Sequence, residues 1–535
     1  MKTIRKAAVI GAGTMGAGIA SHLANAGVPA VLLDIVPEGA EDRDVIAKRA
    51  LERMLGSSPP ALMHKTNVEL ITPGNIEDHM DLLADADWIA EAVVERLDVK
   101  RALYGEIDRV RKPGAFVSSN TSTIPLSMLT AEMTSELRRD FCITHFFNPV
   151  RYMRLLELVA GPDTRPEVVG VLSEFCDVAL GKGVVPCRDT PGFLGNRVGV
   201  FALQTGVVEA AALELRVEEA DAIMGRPMGI PKTGVFGLYD LIGLDLMIDV
   251  ADSLRSALPE SDAFQEVAAG IPLIPRLIAA GYTGNKGRGG FYREREVNGE
   301  VIREAVDLRS GEYRACVRPL LDAAVAGETK GLRALVETGD KYGRFAFRVL
   351  ARTLSYAASL IPEVADDPLP VDEAMKLGYG WGYGPFEMLD ALGPAWFRRR
   401  LKNEGLPVPP IFDRVGDGRF YRVEGGSIAR IDFSGEYEKI RRAPGIVRLG
   451  DLTRAREPVA GNDAASLWDV GDGIACVEFH TKANALSPVS MAMIVESLDI
   501  VKDDFQALLI HNDAPHFSVG FDLAFALAAA RDKAW

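Results

Sequence analysis

Apolar and polar positions in the first 187 residues form short apolar runs separated by longer helical patterns. The runs "AAVIGAG", "PAVLLDI", "ADWIAEAVV", "AFVSSN" and "FCITHFF" have the length and composition of buried strands. The segment "TMGAGIASHLANAG", after the first run, has a helical pattern that ends at Gly27. Strands that alternate with helices predict an α/β domain with a doubly wound parallel sheet over residues 1–187.

The pattern becomes mainly helical from Asp189 onward, and one segment type occurs twice. "VEEADAIMGRPMGIPKTGVFGLYDLIG" begins at Val217, and "VDEAMKLGYGWGYGPFEMLDALG" begins at Val371. Both segments contain a G-x-F pattern, and the distance from the first valine to that pattern is four residues shorter in the second segment. We interpret them as a duplicated helical domain, with the first copy at 188–300 and the second, with a connecting hairpin, at 301–440. Two unrelated helix–turn–helix segments are the alternative.

The last part of the chain changes pattern again. "FYRVEGGSIARIDF" predicts a hairpin with a glycine turn, and residues 441–464 have the mixed charge of a linker. Residues 465–535 then alternate strand and helix patterns, which predicts a further α/β segment.

Bulk properties restrict the function classes. Hydrophobic residues make up 48% of the 535 residues, and the formal net charge is −15, which disfavours nonspecific binding to nucleic acid or anionic membranes. The chain has five cysteines without CxxC spacing, which indicates a reducing compartment and no zinc ribbon. No apolar run is long enough to span a membrane. We therefore expect a cytoplasmic protein without an integral membrane segment, a nucleic-acid partner or a metal.

The glycine-rich turn Gly11, Gly13 and Gly16 follows the first strand and opens a helix, and Asp34 ends the next strand. That context predicts a Rossmann-type dinucleotide site. Gly11 permits the tight turn, Gly13 lets the pyrophosphate approach the backbone, and Gly16 allows close packing, while Thr14 and Met15 begin the helix that faces the phosphates. A carboxylate at Asp34 binds ribose hydroxyls and repels a 2′-phosphate, which favours NAD over NADP. A turn without a ligand, or a flavin site, is the alternative.

A histidine and a carboxylate stand 12 residues apart in "THFFNPVRYMRLLELV". A turn at Pro149 would bring His145 and Glu157 side by side at the carboxyl edge of the sheet, as a general base with its orienting group. The alternative for a lone histidine in an apolar context is a hydrogen-bonded core residue.

Taken together, the motifs resemble the 3-hydroxyacyl-CoA dehydrogenase family of fatty-acid β-oxidation. The matching strings are "VIGAGTMGAGIA", "EAVVERLDVK", "SSNTSTIPL", "THFFNPV" followed by "LLELV", "DTPGFLGNR" and "NKGRGGFY", in family order over residues 1 to about 300. The duplicated helical region resembles the tandem C-terminal domains of the long, multifunctional members. That likeness implies that the second copy supplies the packing that short members obtain by dimerising.

The resemblance implies a role for each matching residue. His145 would take the proton of the 3-hydroxyl while hydride leaves C3 for the nicotinamide, and Glu157 would orient it. Ser122 would hydrogen-bond the substrate oxygen, and Asn196 would contact the thioester region. Residues at family positions near the cofactor are Glu95, Lys100, Asn148 and Lys286. Structural roles are the alternatives: a helix cap for Ser122, an ordinary helix residue for Asn196, a solvated helix face for Glu95 and Lys100, and a loop lysine for Lys286.

These motifs predict NAD-dependent oxidation of (S)-3-hydroxyacyl-CoA thioesters. An NAD-binding protein without catalytic activity and a dehydrogenase of a non-CoA hydroxy acid are the competing hypotheses. Association with a thiolase subunit and self-association both remain open.

Residues 465–535 resemble the start of the enoyl-CoA hydratase (crotonase) fold. "HTKANALS", around Ala483, matches the segment which that family uses along CoA, and "HFSVGFDL" matches the loop with the first oxyanion-hole N–H, here Phe521. The family has a small residue at that position, so Phe521 departs from its pattern. The second oxyanion-hole glycine and the catalytic glutamates of that family have no counterpart in this sequence, so hydratase activity is not expected from the chain as it stands.

Overall fold

The computed structural model describes residues 3–442, 445–514 and 516–533. Contacts divide the chain into two compact units, the first ending at Gly418 and the second beginning at Arg419. The predicted hairpin therefore groups with the second unit, whereas the sequence assigned it to the second helical copy.

The first unit begins with an eight-stranded sheet in the order β3-β2-β1-β4-β5-β6-β7-β8. Its strands are β1 (Ala7–Ile10), β2 (Ala30–Asp34), β3 (Ile71–Asn75), β4 (Trp88–Glu91), β5 (Phe116–Ser119), β6 (Phe141–Phe146), β7 (Leu155–Ala160) and β8 (Gly183–Cys187). Its helices are α1 (Thr14–Asn25), α2 (Val45–Gly56), α3 (Leu97–Val110), α4 (Leu126–Thr130), α5 (Ser135–Arg139) and α6 (Pro166–Val178).

The predicted parallel, doubly wound sheet is confirmed for β1 to β6. Strand β7 runs antiparallel to β6, and β8 is parallel to β7. The reversal follows from the short β6–β7 connection, because a parallel neighbour needs a crossover of a dozen or more residues. Strands β3 and β8 were not predicted, since "ITPGN" and "GVVPC" each contain proline and glycine.

Two apolar cores cover the two faces of this sheet. One contains Val9 and Leu32 with the inner face of α1, and the other contains Ala8 and Ile10 with the inner face of α3. Successive residues of β1 therefore belong to different cores, as expected for a strand buried on both faces. The carboxyl edge of the sheet is thereby held rigidly between two helical layers.

The helical part of the first unit follows. Its helices are α7 (Gly195–Ala212), α8 (Val217–Ile223), α9 (Gly234–Ile242), α10 (Leu244–Ala257), α11 (Leu273–Ala279), α12 (Asp322–Lys330), α13 (Leu332–Val336), α14 (Lys341–Ser359), α15 (Pro368–Tyr379), α16 (Pro385–Leu392), α17 (Pro394–Asn403) and α18 (Ile411–Val415). Between α11 and α12 lies an antiparallel sheet of β9 (Tyr292–Val297), β10 (Glu300–Val306) and β11 (Tyr313–Ala315). The predicted boundary between residues 300 and 301 falls within its first hairpin, where Glu300 pairs with Val297.

Two aspartates hold equivalent places in the repeated segments. Asp221 accepts the N–H groups of Phe236 at 2.8 Å and Gly237 at 3.1 Å, and so caps α9. Asp372 accepts those of Phe386 at 2.8 Å and Glu387 at 3.1 Å, and so caps α16. The separations between aspartate and phenylalanine are 15 and 14 residues.

The copies therefore differ by one residue over this stretch. The four-residue difference counted from Val217 and Val371 lies mainly before the aspartates, because Asp221 comes four residues after Val217 and Asp372 comes one residue after Val371. The likeness of "VEEA" to "VDEA" is therefore separate from the repeated structural feature, which is the capping aspartate.

The second copy packs directly against the first and against the sheet. Helix α7 contacts both α14 and α15, and α15 also contacts β7 and β8. A Cβ at Gly199 on α7 would overlap the ring of Tyr379, so the glycine makes room for that side chain. Gly378 similarly leaves room for Leu155 on β7.

The second unit contains two sheets. Strands β12 (Tyr421–Glu424), β13 (Ser427–Ile431) and β14 (Tyr437–Lys439) form one, and the β12–β13 pairing confirms the predicted hairpin. Strands β15 (Ala460–Gly461), β16 (Ala465–Gly471), β17 (Ile474–Phe479) and β18 (Ala507–Ile510) form the other, and the helices are α19 (Leu449–Ala455), α20 (Pro488–Asp504) and α21 (Leu523–Arg531). The stretch predicted as a linker thus contains α19 and β15, and residues 443 and 444 lie outside the described residues.

Candidate active site

A buried histidine–glutamate pair lies on the antiparallel strands β6 and β7. His145 stands directly opposite Glu157 in the strand register, and Nδ1 of His145 lies 2.6 Å from Oε2 of Glu157. His145 is 6% exposed and Glu157 is fully buried. The predicted turn at Pro149 therefore does bring the two groups together. A histidine whose Nδ1 is held by a carboxylate presents Nε2 for proton transfer.

The other carboxylate oxygen of Glu157 faces the start of α7. Its Oε1 accepts the N–H groups of Leu194 at 2.9 Å and Gly195 at 2.7 Å. These donors stabilise the carboxylate, as does the positive end of the helix dipole. The pair is thus tied to the helix that carries Asn196, a half-buried residue one position beyond Gly195. The sequence did not predict that Glu157 caps α7, because nothing local in the sequence links Glu157 with Gly195, which is 38 residues away.

The sulfur of Cys187, the last residue of β8, lies 3.9 Å from Oε1 of Glu157. Burial and the neighbouring carboxylate raise the pKa of the Cys187 thiol, so it stays protonated beside Glu157.

The glycine-rich turn has the geometry expected of a dinucleotide cradle. Gly11 has φ of 104°, and a Cβ there would overlap the Ala92 carbonyl. A Cβ at Gly16 would overlap the Gly11 carbonyl, whereas a Cβ at Gly13 would meet no protein atom within 4 Å. No side chain caps α1, whose first residues are Thr14 and Met15. The N–H groups of its first turn are therefore available to an anion, and the cradle fits a pyrophosphate.

Asp34 lies beside this turn at the end of β2. Its Oδ2 accepts the Ala12 N–H at 2.5 Å, and its Oδ1 accepts the Ile35 N–H at 2.7 Å. The carboxylate is thus fixed at the edge of the cradle.

Glu95, Lys100 and Ser122 meet at the ends of β4 and β5. Oε1 of Glu95 accepts hydrogen bonds from the Thr121 hydroxyl at 2.5 Å and from the N–H groups of Ser122 and Thr123 at 3.1 and 3.2 Å. Oε2 of Glu95 lies 3.3 Å from the buried Lys100 ammonium. Burial alone would raise the pKa of Glu95, but Lys100 and the loop donors outweigh it and hold that pKa below its usual value.

A further buried carboxylate, Glu91, was missed by sequence reasoning. It is fully buried at the end of β4 and accepts from Lys100 Nζ at 2.7 Å, from the Tyr104 hydroxyl at 2.5 Å and from the Ser119 hydroxyl at 2.6 Å. It also accepts the Val93 N–H at 2.8 Å. All four of these partners donate to Glu91, which matches the acceptor capacity of its two oxygens. The only available sequence signal was a glutamate closing an apolar strand.

The two remaining residues predicted near the cofactor, Asn148 and Lys286, lie on different elements. Asn148 is exposed in the β6–β7 connection. Lys286 pairs with Asp245 on the first helical copy at 2.6 Å, and it is about half exposed.

In the C-terminal α/β part, the two segments that resemble the enoyl-CoA hydratase family lie side by side. The Leu486 N–H donates to the Gly520 carbonyl at 2.8 Å, and the Asp522 N–H donates to the Leu486 carbonyl at 2.8 Å. Ala483 has φ of 53°, and Phe521 is half exposed. The residues singled out at Ala483 and Phe521 therefore belong to one paired strip of backbone.

Within the ranges that the structure describes, no three or more histidine, cysteine, aspartate or glutamate side chains are grouped to hold a metal ion. In the same part of the chain, no helix combines the length and apolar character that crossing a membrane requires.

The cradle at the end of β1 and the His145–Glu157 pair at the same edge of the sheet define a dinucleotide-dependent oxidoreductase of the doubly wound α/β class. The model of the NAD-binding domain of 3-hydroxyacyl-CoA dehydrogenase matches residues 6–190. The model of the C-terminal domain matches two segments, 192–294 and 343–419. The chain therefore belongs to the 3-hydroxyacyl-CoA dehydrogenase family, and its cofactor is NAD.

Individual relatives agree with this assignment. A protein of Bacillus subtilis named "Probable 3-hydroxyacyl-CoA dehydrogenase" is 37% identical over 99% of this chain and 69% of its own length. A Rickettsia felis protein named "Putative fatty acid oxidation complex trifunctional enzyme" is 35% identical over 99% of this chain and 70% of its own length. The crystal structure of 3-hydroxybutyryl-CoA dehydrogenase from Escherichia coli K12 superposes with a TM-score of 0.58 at 25% identity, covering 75% of this chain and 94% of that one.

Proposed function

We propose that the chain catalyses the NAD-dependent oxidation of (S)-3-hydroxyacyl-CoA thioesters to 3-oxoacyl-CoA in fatty-acid β-oxidation, with His145 as the base. The buried His145–Glu157 pair at 2.6 Å is the observation that carries this proposal. The family assignment and the names of relatives matched over 99% of the chain support the substrate class.

His145 acts through the nitrogen that Glu157 leaves available. Glu157 accepts from Nδ1, so Nε2 takes the proton of the 3-hydroxyl while the C3–O bond becomes a carbonyl and the electron pair of the C3–H bond departs as hydride. Bound NAD supplies the acceptor for that hydride. Glu157 stabilises the imidazolium that results, and the N–H groups of Leu194 and Gly195 hold the Glu157 side chain in place.

The other predicted residues bind or orient the cofactor and the substrate. Gly11, Gly13 and Gly16, with the N–H groups of Thr14 and Met15, hold the pyrophosphate, and Asp34 holds the adenine ribose. Ser122 contacts the substrate oxygen, and Asn196 contacts the thioester. Glu95, Lys100, Asn148 and Lys286 contribute on the cofactor side. Cytoplasmic location and association with a thiolase subunit stay predictions.

The C-terminal α/β part has a separate proposed role. The strip that contains Ala483 and Phe521 corresponds to a CoA-contacting part of a hydratase-like domain. The pairing of Leu486 with the backbone of Gly520 and Asp522 supports this role, as does the trifunctional name of a relative that aligns over 99% of the chain.

The test measures the reverse reaction, the reduction of acetoacetyl-CoA by NADH, through the loss of NADH absorbance. The full chain should oxidise NADH, and His145→Ala should lower kcat about 10²- to 10⁴-fold without loss of NADH binding. His511→Ala, at an exposed histidine of the second unit, is the matched control and should leave the rate unchanged.

Three results separate the competing hypotheses. NADH binding without turnover on any acyl chain length would establish an NAD-binding protein without catalytic activity. Turnover of free hydroxy acids, with no competition from CoA, would establish a non-CoA dehydrogenase. An unaltered rate in His145→Ala would show that the base is another residue.

A further inference from the structure

The two ends of the proposed site are joined by one row of residues across the sheet. The strand registers pair Ile10 with Glu91, Glu91 with Ser119, and Ser119 with Ile143. Gly11 follows Ile10, and His145 lies two residues beyond Ile143. At about 4.8 Å between neighbouring strands, this row is about 14 Å long. A dinucleotide held at Gly11 that delivers its nicotinamide to His145 must therefore pass over the ends of β4 and β5.

Three buried or half-buried charged side chains cluster at the ends of these strands. Lys100 lies 2.7 Å from Oε1 of Glu91 and 3.3 Å from Oε2 of Glu95. Lys100 and Glu91 are 1% and 0% exposed, and Glu95 is 37% exposed. One cation against two carboxylates leaves the cluster with one net negative charge. Because Lys100 and Glu91 are removed from water, a change of charge at either of them is screened much less than a change at the surface.

The cluster is fixed in position as well as in charge. The Tyr104 and Ser119 hydroxyls hold the second oxygen of Glu91, and the 121–123 loop holds Glu95. The cluster therefore cannot turn away from the edge of the sheet. Fixed charges of this kind act on a ligand at no cost of reorganisation when it binds.

We infer that Glu91 is an electrostatic positioning residue, which holds Lys100 between two carboxylates and gives this site a net negative charge that favours the cationic, oxidised nicotinamide over the neutral, reduced one. The inference rests on the proposed function, since it requires NAD to lie along this row. Glu91 is buried and contacts Lys100 and Ser119 rather than the cofactor or substrate, so it is not a catalytic residue.

The test compares the Kd of NAD⁺ with the Kd of NADH by fluorescence titration of the full chain without substrate. Glu91→Gln should raise the ratio Kd(NAD⁺)/Kd(NADH) by about tenfold at low ionic strength, the effect of one charge about 10 Å away at an effective dielectric constant near 20. Lys100→Met removes the cation and should move the ratio in the opposite direction. Tyr104→Phe removes a hydrogen bond to Glu91 without changing charge, and should leave the ratio as it is.

Equal changes in both dissociation constants for Glu91→Gln would overturn the inference, because that result means only a structural role. If Glu91→Gln does not fold, Glu95→Gln removes one negative charge from the same cluster at a more exposed position, and it carries the same expectation and the same contradicting result. Failure of the unmodified chain to bind either nucleotide would instead contradict the proposed function.

Discussion

The guanidinium Nε of Arg197 lies 2.6 Å from the hydroxyl of Tyr356, so the first turn of α7 is held by a helix of the second copy. The Arg197 side chain is fully buried, and its other nitrogens reach Asp262 at 2.6 Å and Glu363 at 3.1 Å. This turn also supplies the Gly195 N–H that holds Glu157. The duplicated copy therefore supports the candidate active site through one arginine.

Tyr356→Phe should weaken that support without removing the ring. The Tyr356 ring stacks on Phe201 at 4.1 Å between centroids, and phenylalanine keeps this contact. Loss of the hydroxyl leaves a buried donor of Arg197 without its acceptor, which costs about 1–3 kcal/mol of unfolding free energy. We expect KM for acyl-CoA to rise while Kd for NADH stays constant. Urea denaturation and steady-state kinetics measure both effects, and Tyr383→Phe, at an exposed tyrosine, is the control.

Glu157→Gln should lower kcat far more than it changes substrate binding. A glutamine amide cannot accept from His145 Nδ1 and from both the Leu194 and Gly195 N–H groups without turning its own NH₂ toward one of these donors. We expect kcat to fall by roughly 10²-fold or more, with the loss of a correctly oriented imidazole as its cause. Stopped-flow oxidation of NADH measures it. Cys187→Ala, at the neighbouring thiol, is the control, and an equal loss there would assign the effect to packing rather than to the carboxylate.

Gly13→Ala and Gly16→Ala should separate cofactor binding from folding. A Cβ at Gly13 meets no protein atom within 4 Å, so the variant should fold, at a cost of about 1 kcal/mol or less, and Kd for NAD should rise at least about tenfold. A Cβ at Gly16 overlaps the Gly11 carbonyl, so that variant should lose roughly 3 kcal/mol of unfolding free energy. Thermal unfolding and nucleotide titration distinguish them. A Gly13→Ala protein that binds NAD normally would contradict the assigned pyrophosphate position.

Sequence patterns predicted the parts of this molecule whose signals are local. The glycine turn, the β6–β7 reversal at Pro149 and the β12–β13 hairpin each lie within a short stretch, where turn chemistry and strand periodicity carry the information. The roles of Glu91 and Arg197 could not be predicted. Glu91 bonds Ser119, 28 residues away, and Arg197 bonds Tyr356, 159 residues away. Only the sheet order and the packing of the two copies bring such partners together.

The register of the duplication could not be predicted either, for a related reason. Sequence similarity aligned Val217 with Val371, whereas the repeated structural feature is an aspartate that caps a helix with both oxygens. The capped N–H groups belong to Phe236 and Phe386, on the far side of a glycine- and proline-rich turn. That turn differs by one residue between the copies, and the other three residues of the difference lie between the valine and the aspartate.

His22 on α1 should make the stability of the first unit depend on pH. Its Nε2 lies 2.8 Å from the Leu180 carbonyl, and it is 5% exposed. Burial, with a further contribution from the Lys182 ammonium, lowers the pKa of His22 from 6.5 to about 4. Between these values the unfolded chain binds a proton that the folded chain does not. The stabilisation from a neutral His22 is therefore fully present above pH 6.5 and is lost as the pH falls toward 4, by roughly 3 kcal/mol at most.

Replacing the imidazole by an amide should remove this dependence. In His22→Gln the side chain can still donate to the Leu180 carbonyl but does not titrate, so the free energy of unfolding should fall less steeply between pH 6.5 and 4 than in the unmodified chain. Lys182, whose pKa is lowered to about 8 by burial, stays protonated throughout this window and does not confuse the comparison. Urea denaturation at several pH values measures the slope, with His511→Gln as the exposed control. An identical slope in His22→Gln and the unmodified chain would assign the acid sensitivity to other groups.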